Sequence, residues 1–148
     1  MGTAAQTSAL ECKVGLGRIL VPANYVSAVG ECVMGAPFAT AQRVHISLAQ
    51  WNDDIAVGIA LTRPAVGPSR TSIAVLVDRR QLGSTKGSAP FLIEIVGAVG
   101  LVDVENVGDE RAGGFSWMRT AVLNDGRTMQ FVDVARLVAD LGAVGGLR

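Results

Sequence analysis

Asp103 and Glu105 stand two apart in GAVGLVDVENVG (97–108). They are the carboxylate pair that strand geometry could aim at one substrate, because side chains alternate between the faces of a strand. Asp53 with Asp54, and Asp109 with Glu110, are adjacent and point to opposite faces. Paired carboxylates in a hydrolase need one shifted pKa and a cleft between them. Asp103 and Glu105 instead lie among small aliphatics, with no aromatic ring close by to stack a sugar. The sequence favours a solvated strand face, and the chain is expected not to be an enzyme. A hydrolase using Asp103 and Glu105 is the least favoured alternative.

Other groups offer less. His45, the single histidine, lies between Val44 and Ile46 in an alternating run and is expected to face outward, with no paired acid nearby to make it a general base. GLGRIL (15–20) begins like a dinucleotide loop, but the third glycine is missing and no βαβ unit follows, so a hairpin turn is expected. GSTKGS (83–88) departs from the phosphate-loop order GxxxxGK[ST] and precedes Pro90 and a strand, so a solvated loop is expected. No G-x-S-x-G elbow occurs. Cys12 and Cys32 lack metal-ligand spacing and are expected to be buried, reduced thiols. No cofactor and no metal is expected.

The bulk properties are those of one domain of 148 residues. Half of the residues are hydrophobic (49%), 18% are charged, and there are 18 glycines. Valine and glycine with regular polar breaks indicate short strands joined by tight turns. Thirteen basic and thirteen acidic side chains cancel. Nucleic acid, which demands a basic stripe, is therefore not an expected partner. MGTAAQTSALECK lacks the basic start and apolar core of a signal peptide, and no apolar run is long enough to cross a bilayer. A cytoplasmic location without direct membrane insertion is expected.

Along the chain, residues 1–8 read as a flexible tail, 9–142 as one domain and 143–148 as a second tail. LECKVGLGRILVP reads as a strand pair ended by Pro22. ANYVSAVGE reads as a short helical turn, with Gly30 where a C-cap would sit. RVHISLAQW alternates as a strand does, and DIAVGIALT is apolar enough for a strand buried on both faces. RPAVGPSRT is a break, SIAVLVDRR a strand, QLGSTKGSAP a loop and FLIEIV another strand. In the opening stretch Val99 and Leu101 are expected to face inward, the imperfect alternation fitting either a strand partly covered on both sides or a bulge near 103, and GDERAGG is expected to be a loop. Asn124-Asp125-Gly126 marks the clearest hairpin. Val134, Leu137, Val138 and Leu141 recur at helical spacing between Asp133, a candidate N-cap, and Gly142. The total is nine or ten strands with two or three short helices: an all-β fold.

The order of these motifs resembles the CheW-like family of chemotaxis coupling proteins. FLIEIVGAVGLVDVENVG is similar to the family's strand, tight turn and strand. VLNDGRTMQFVDVARLVADLG is similar to its closing hairpin and helix. CKVGLGRILVPANYVSAVGE is similar to its opening strand pair, proline and short helix. Together they cover about two-fifths of the chain. The resemblance implies two intertwined five-stranded β-barrels and a non-catalytic adaptor in bacterial chemosensory signalling. Its partners would be the regulatory domain of a CheA-type histidine kinase, the cytoplasmic tip of a chemoreceptor, and other CheW-like proteins.

The chain departs from the family in the middle. Laid without a gap on the family's Asn-Leu-Arg-Gly stretch, Trp51, Asn52 and Asp53 occupy the first three positions. Asp53 then puts an anion where the family has an interface arginine, so one docking surface is expected to be altered. Tyr25, Val26, Trp51, Asn52, Asp53 and Trp117 are the candidate protein-interaction residues, with core packing the competing role for both tryptophans. A small-molecule-binding β-barrel, its ligand between the barrels among Gly and Val, is the alternative.

Overall fold

A computed structural model describes residues 7–15, 17–41, 44–61, 69–78, 90–111 and 115–142, with the backbone alone for 41, 110, 111 and 140–142. Its strands are β1 (Thr7–Val14), β2 (Gly17–Pro22), β3 (Val26–Gly35), β4 (Ala39–Ala41), β5 (Val44–Trp51) and β6 (Asp54–Ala60). There follow β7 (Ser69–Val77), β8 (Phe91–Ile95), β9 (Gly97–Arg111), β10 (Met118–Leu123) and β11 (Thr128–Val132), then the helix α1 (Val134–Gly142). The protein is all-β, built on two sheets.

The two ends of the chain build the first sheet, a closed barrel in the order β1-β2-β11-β10-β9. Closure comes from a parallel contact between β2 and β11, which pairs Leu20 with Phe131. Its interior is filled by Ala9, Leu20, Val104, Ala121, Leu123 and Phe131. Closing a sheet removes the unpaired edges that invite other chains. The middle of the chain makes the second sheet, in the order β3-β7-β8-β6-β5-β4. There β3 also pairs with β5, through Val33 opposite Gln50 and Met34 opposite Ala49. Strands β3, β7, β8, β6 and β5 thus follow one another round a second ring, again with one parallel pair, β6 with β8.

Small side chains make the second ring possible. Cys32, Met34, Ala49, Ala74 and Leu92 share its inner face. A Cβ on Gly58 would lie 2.7 Å from the Met34 sulfur, so Met34 occupies the volume that glycine leaves free. The outer faces of both sheets meet in the largest core. Leu10, Cys12, Ile19 and Val21 come from one side, Val44, Ile46, Ile59, Val75, Phe91 and Ile93 from the other. Trp117, Phe115, Val134 and Leu137 join them. Each such side chain contributes about 1.5–3 kcal/mol when fully buried, so the two sheets are held as one unit.

Local chemistry fixes the C-terminal elements. Gly126 adopts φ +90°, which favours glycine, and the Asp125 carboxylate accepts the Arg127 backbone N–H at 3.0 Å and its Nε–H at 2.9 Å. The backbone N–H leads the contacts that hold Asp125 below its usual pKa. At the start of α1, Asp133 Oδ1 accepts the Arg136 N–H at 3.2 Å, as expected of an N-cap. Val134 and Leu137 turn into the shared core.

Several sequence expectations need correction. The helical turn in ANYVSAVGE is a single 3-10 turn, Ala23–Tyr25, after which β3 begins at Val26; pairing with β7 outweighs the local i, i+3 pattern. The expected N-terminal tail is strand from Thr7, and residues 1–6 and 143–148 lie outside the described residues, as do 79–89 with GSTKGS. Strand β9 continues to Arg111, through half of the expected GDERAGG loop. The described residues hold eleven strands and one α-helix.

Candidate docking surface

In the opening motif the structure reverses the expected parity. Val104 is buried inside the barrel, whereas Val99 is 47% and Leu101 70% exposed. Pairing with β1 runs unbroken from Gly100 to Val104, so alternation puts Leu101 and Val104 on opposite faces, and the irregularities lie on either side. Strand β1 pairs Glu11 with Gly100 and Cys12 with Ala98, leaving Val99 as a bulge, and β10 skips Glu105 between Val104 and Asn106. Bulges of this kind re-aim side chains without changing the sequence pattern. Asp103 and Glu105 are both exposed. The nearest polar partner of the Asp103 carboxylate among those described is the Ser8 hydroxyl, 3.4 Å away. His45 is half-buried, its Nδ1 3.4 Å from the Thr40 hydroxyl, so the geometry does not bring it to these acids. No three His, Cys, Asp or Glu side chains come together to hold a metal among the described residues.

The two cysteines are buried and unbridged. Cys12 lies in the core between the sheets and Cys32 in the core of the second ring. Burial, reinforced by the Glu11 charge, pushes the Cys12 thiol up to about 11. Burial also raises Cys32, with Glu94 adding to the effect and Arg70 opposing it. Thiolate is the nucleophilic form, so both are held unreactive at neutral pH.

Trp117, expected among the interaction residues, is wholly buried and stacks at a tilt on Phe115, ring centroids 4.7 Å apart. It belongs to the core because the segment 115–118 passes between the sheets, and it is not part of a docking face. Around it, Val21, Val44, Val75 and Val132 pack with isoleucine, leucine and aromatic side chains between the barrels. Tyr25 and Val26 are half-buried against this core. The Tyr25 carbonyl accepts the Asp78 N–H at 2.8 Å, and burial, helped by Asp133, raises its phenol.

Trp51, Asn52 and Asp53 sit elsewhere, at the hairpin between β5 and β6. Trp51 is half-buried and packs on the inner core of the second ring. A Cβ on Gly30 would lie 3.3 Å from its ring, so the indole is seated against bare backbone. Asn52 takes φ +54° in the two-residue turn that pairs Trp51 with Asp54, a conformation asparagine tolerates better than most residues. Asn52 and Asp53 are exposed.

That turn sets the register of an apolar strip which sequence reasoning missed. Gln50 lies opposite Ile55 and Leu48 opposite Val57. Across β3, Gln50 is opposite Val33, Val33 opposite Thr71, and Glu31 opposite Ile73. Directly opposed residues share a face, so Ile55, Gln50, Val33 and Thr71 form one row over four strands. Ile55 is 69% and Leu48 56% exposed, and Val29, Val33 and Ile73 are partly exposed beside them. Of DIAVGIALT, expected to be buried on both faces, only residues 58–61 are buried among those described. A shallow open depression of about 320 Å³ interrupts the strip, lined by Glu31, Cys32, Val33, Gln50, Asn52 and Thr71. The signal was present in the sequence: large Ile55, Val57 and Ile59 alternate with small Ala56, Gly58 and Ala60, which puts the small residues inside a narrow ring.

Charge is handled differently inside the rings. Arg70 grips Glu94 with two hydrogen bonds of 3.0 and 2.7 Å, and Ser72 donates to the same carboxylate at 2.5 Å. Glu11, buried, meets Arg18 at 2.7 Å. Such pairs are satisfied and spoken for. The acids beside the apolar strip, Glu31, Asp53 and Asp54, are exposed. Compared with known proteins, the chain matches no family model and no curated protein sequence. Among the described residues no helix is long and apolar enough to cross a membrane.

Proposed function

We propose that this chain is a CheW-like adaptor that couples a CheA-type histidine kinase to chemoreceptors by protein–protein contact, with one docking surface altered. The reading is supported by the course of the chain. Two strands open one barrel, the middle strands build a second ring, and three strands and a helix return to the first, as the motif resemblance implies. The observation that carries it is the strip of Leu48, Ile55, Val33 and Ile73. Exposed aliphatics gathered on one face of a sheet are what a protein-docking surface offers; here Leu48 and Ile55 stand on one side of Gln50 and Val33 and Ile73 on the other.

The test is a calorimetric titration of the chain with a kinase regulatory domain and, separately, with a receptor-tip fragment. The proposal expects saturable binding to at least one, weakened by Ile55→Asp and altered by Asp53→Arg. No binding to either, in a chain that melts cooperatively, overturns it.

A further inference from the structure

We infer that the depression in the apolar strip is an anchor site for a lysine or arginine side chain, carried by an amphipathic segment of a partner protein. The inference rests on the docking reading above and names the chemistry of the partner. Charge carries the argument. Strands β3, β5, β6 and β7 contain one lysine or arginine between them, Arg70, and that residue is held by Glu94 with two hydrogen bonds. The depression is bordered instead by the exposed Glu31 carboxylate, with Asp53 and Asp54 on the adjoining turn.

The lining adds geometry. Gln50, Asn52 and Thr71 line it beside Glu31, and amide carbonyls and a hydroxyl are groups able to accept from a cation. On either side stand apolar residues, Val33 and Ile55 in the same cross-strand row and Leu48 one pair along. A cation entering here keeps its stem on Val33 while its head meets Glu31. Aliphatic neighbours in the partner segment then cover Ile55 and Leu48. An acidic segment would meet like charge on the turn, and a purely polar one would gain nothing from the strip.

The experiment uses the whole chain and labelled helical peptides of leucine and alanine that differ at one central residue: Arg, Gln or Glu. Fluorescence anisotropy is read at low and physiological salt. The Arg peptide is expected to bind on the order of tenfold more tightly than the Gln peptide, as for one charge-assisted hydrogen bond. Glu31→Gln should remove that difference, and Glu105→Gln, on the other barrel, should leave it. Equal binding of the Arg and Gln peptides, both lost in Val33→Asp, overturns the cation anchor and leaves the docking strip standing. Preference for Arg that survives Glu31→Gln also overturns the anchor. Binding of none of the peptides, or binding indifferent to Val33→Asp, overturns the strip and the anchor together.

Discussion

Ile55 and Ile59 share a face of β6, yet the structure gives them opposite duties. Ile59 is wholly buried between the sheets, while Ile55 keeps 69% of its surface open. Replacing each in turn by threonine keeps the β-branch, so strand propensity changes little. At Ile59 the change removes apolar packing and buries a hydroxyl, a loss of about 2–4 kcal/mol. For a chain of this size that lowers Tm by roughly 5–15 °C. At Ile55 the folded state loses little, within about 0.5 kcal/mol. What Ile55→Thr forfeits is the surface still to be buried on docking. A full isoleucine is worth about 1.5–3 kcal/mol, so the open part accounts for about 1–2 kcal/mol, or about 5–30-fold in Kd. Thermal melts of both variants, with calorimetric titration of Ile55→Thr against the kinase regulatory domain, separate the two roles. A fall in Tm at Ile55 equal to that at Ile59 would refute the strip. So would an unchanged Kd for a partner that the native chain binds.

Trp117→Ala removes the largest fully buried side chain and should cost about 3–5 kcal/mol, seen as a shifted denaturation midpoint; a shift under about 1 kcal/mol would show that the ring does not hold the sheets together. Gly35→Ala places a methyl 2.9 Å from the Leu48 carbonyl oxygen, and because backbone must give way, a loss of about 1–3 kcal/mol is expected from urea unfolding. The folded-state pKa of Cys12 is raised from 9.0 to about 11, so its protonated thiol stabilises the fold fully below pH 9, and that contribution is lost as the pH climbs from 9 through 11. Denaturation midpoints across this window should fall, and less so in Cys12→Ala; identical slopes would assign the alkaline loss to other groups.

How much of this was legible follows from which interactions are local. The hairpins at Gly15 to Gly17 and at Asn124 to Gly126, the strand of β5, and helix α1 with its Asp133 cap are written in turn residues and short periodicities. Each of them forms from neighbours in sequence, and each appears where the pattern puts it. The alternation at Leu101 misled because β9 alternates regularly from Gly100 to Val104, and alternation alone does not say which face meets the barrel interior. Trp117 misled for a related reason. An aromatic in a short connection can stand in solvent or pass between two sheets, and nothing within a few residues of it chooses.

By itself the sequence determined an all-β chain without a membrane-length apolar helix pattern, its principal turns, and burial of both thiols, because those depend on composition and near neighbours. The tertiary structure alone decided which face of each strand meets the other sheet. Inward and outward aliphatics are chemically identical, and only the packing of one ring against the other leaves Ile55 and Leu48 in water while it covers Ile59 and Ile46. The alternation of large and small residues in β6 marks its outward face, but which part of that face stays open is a property of how the two sheets are stacked.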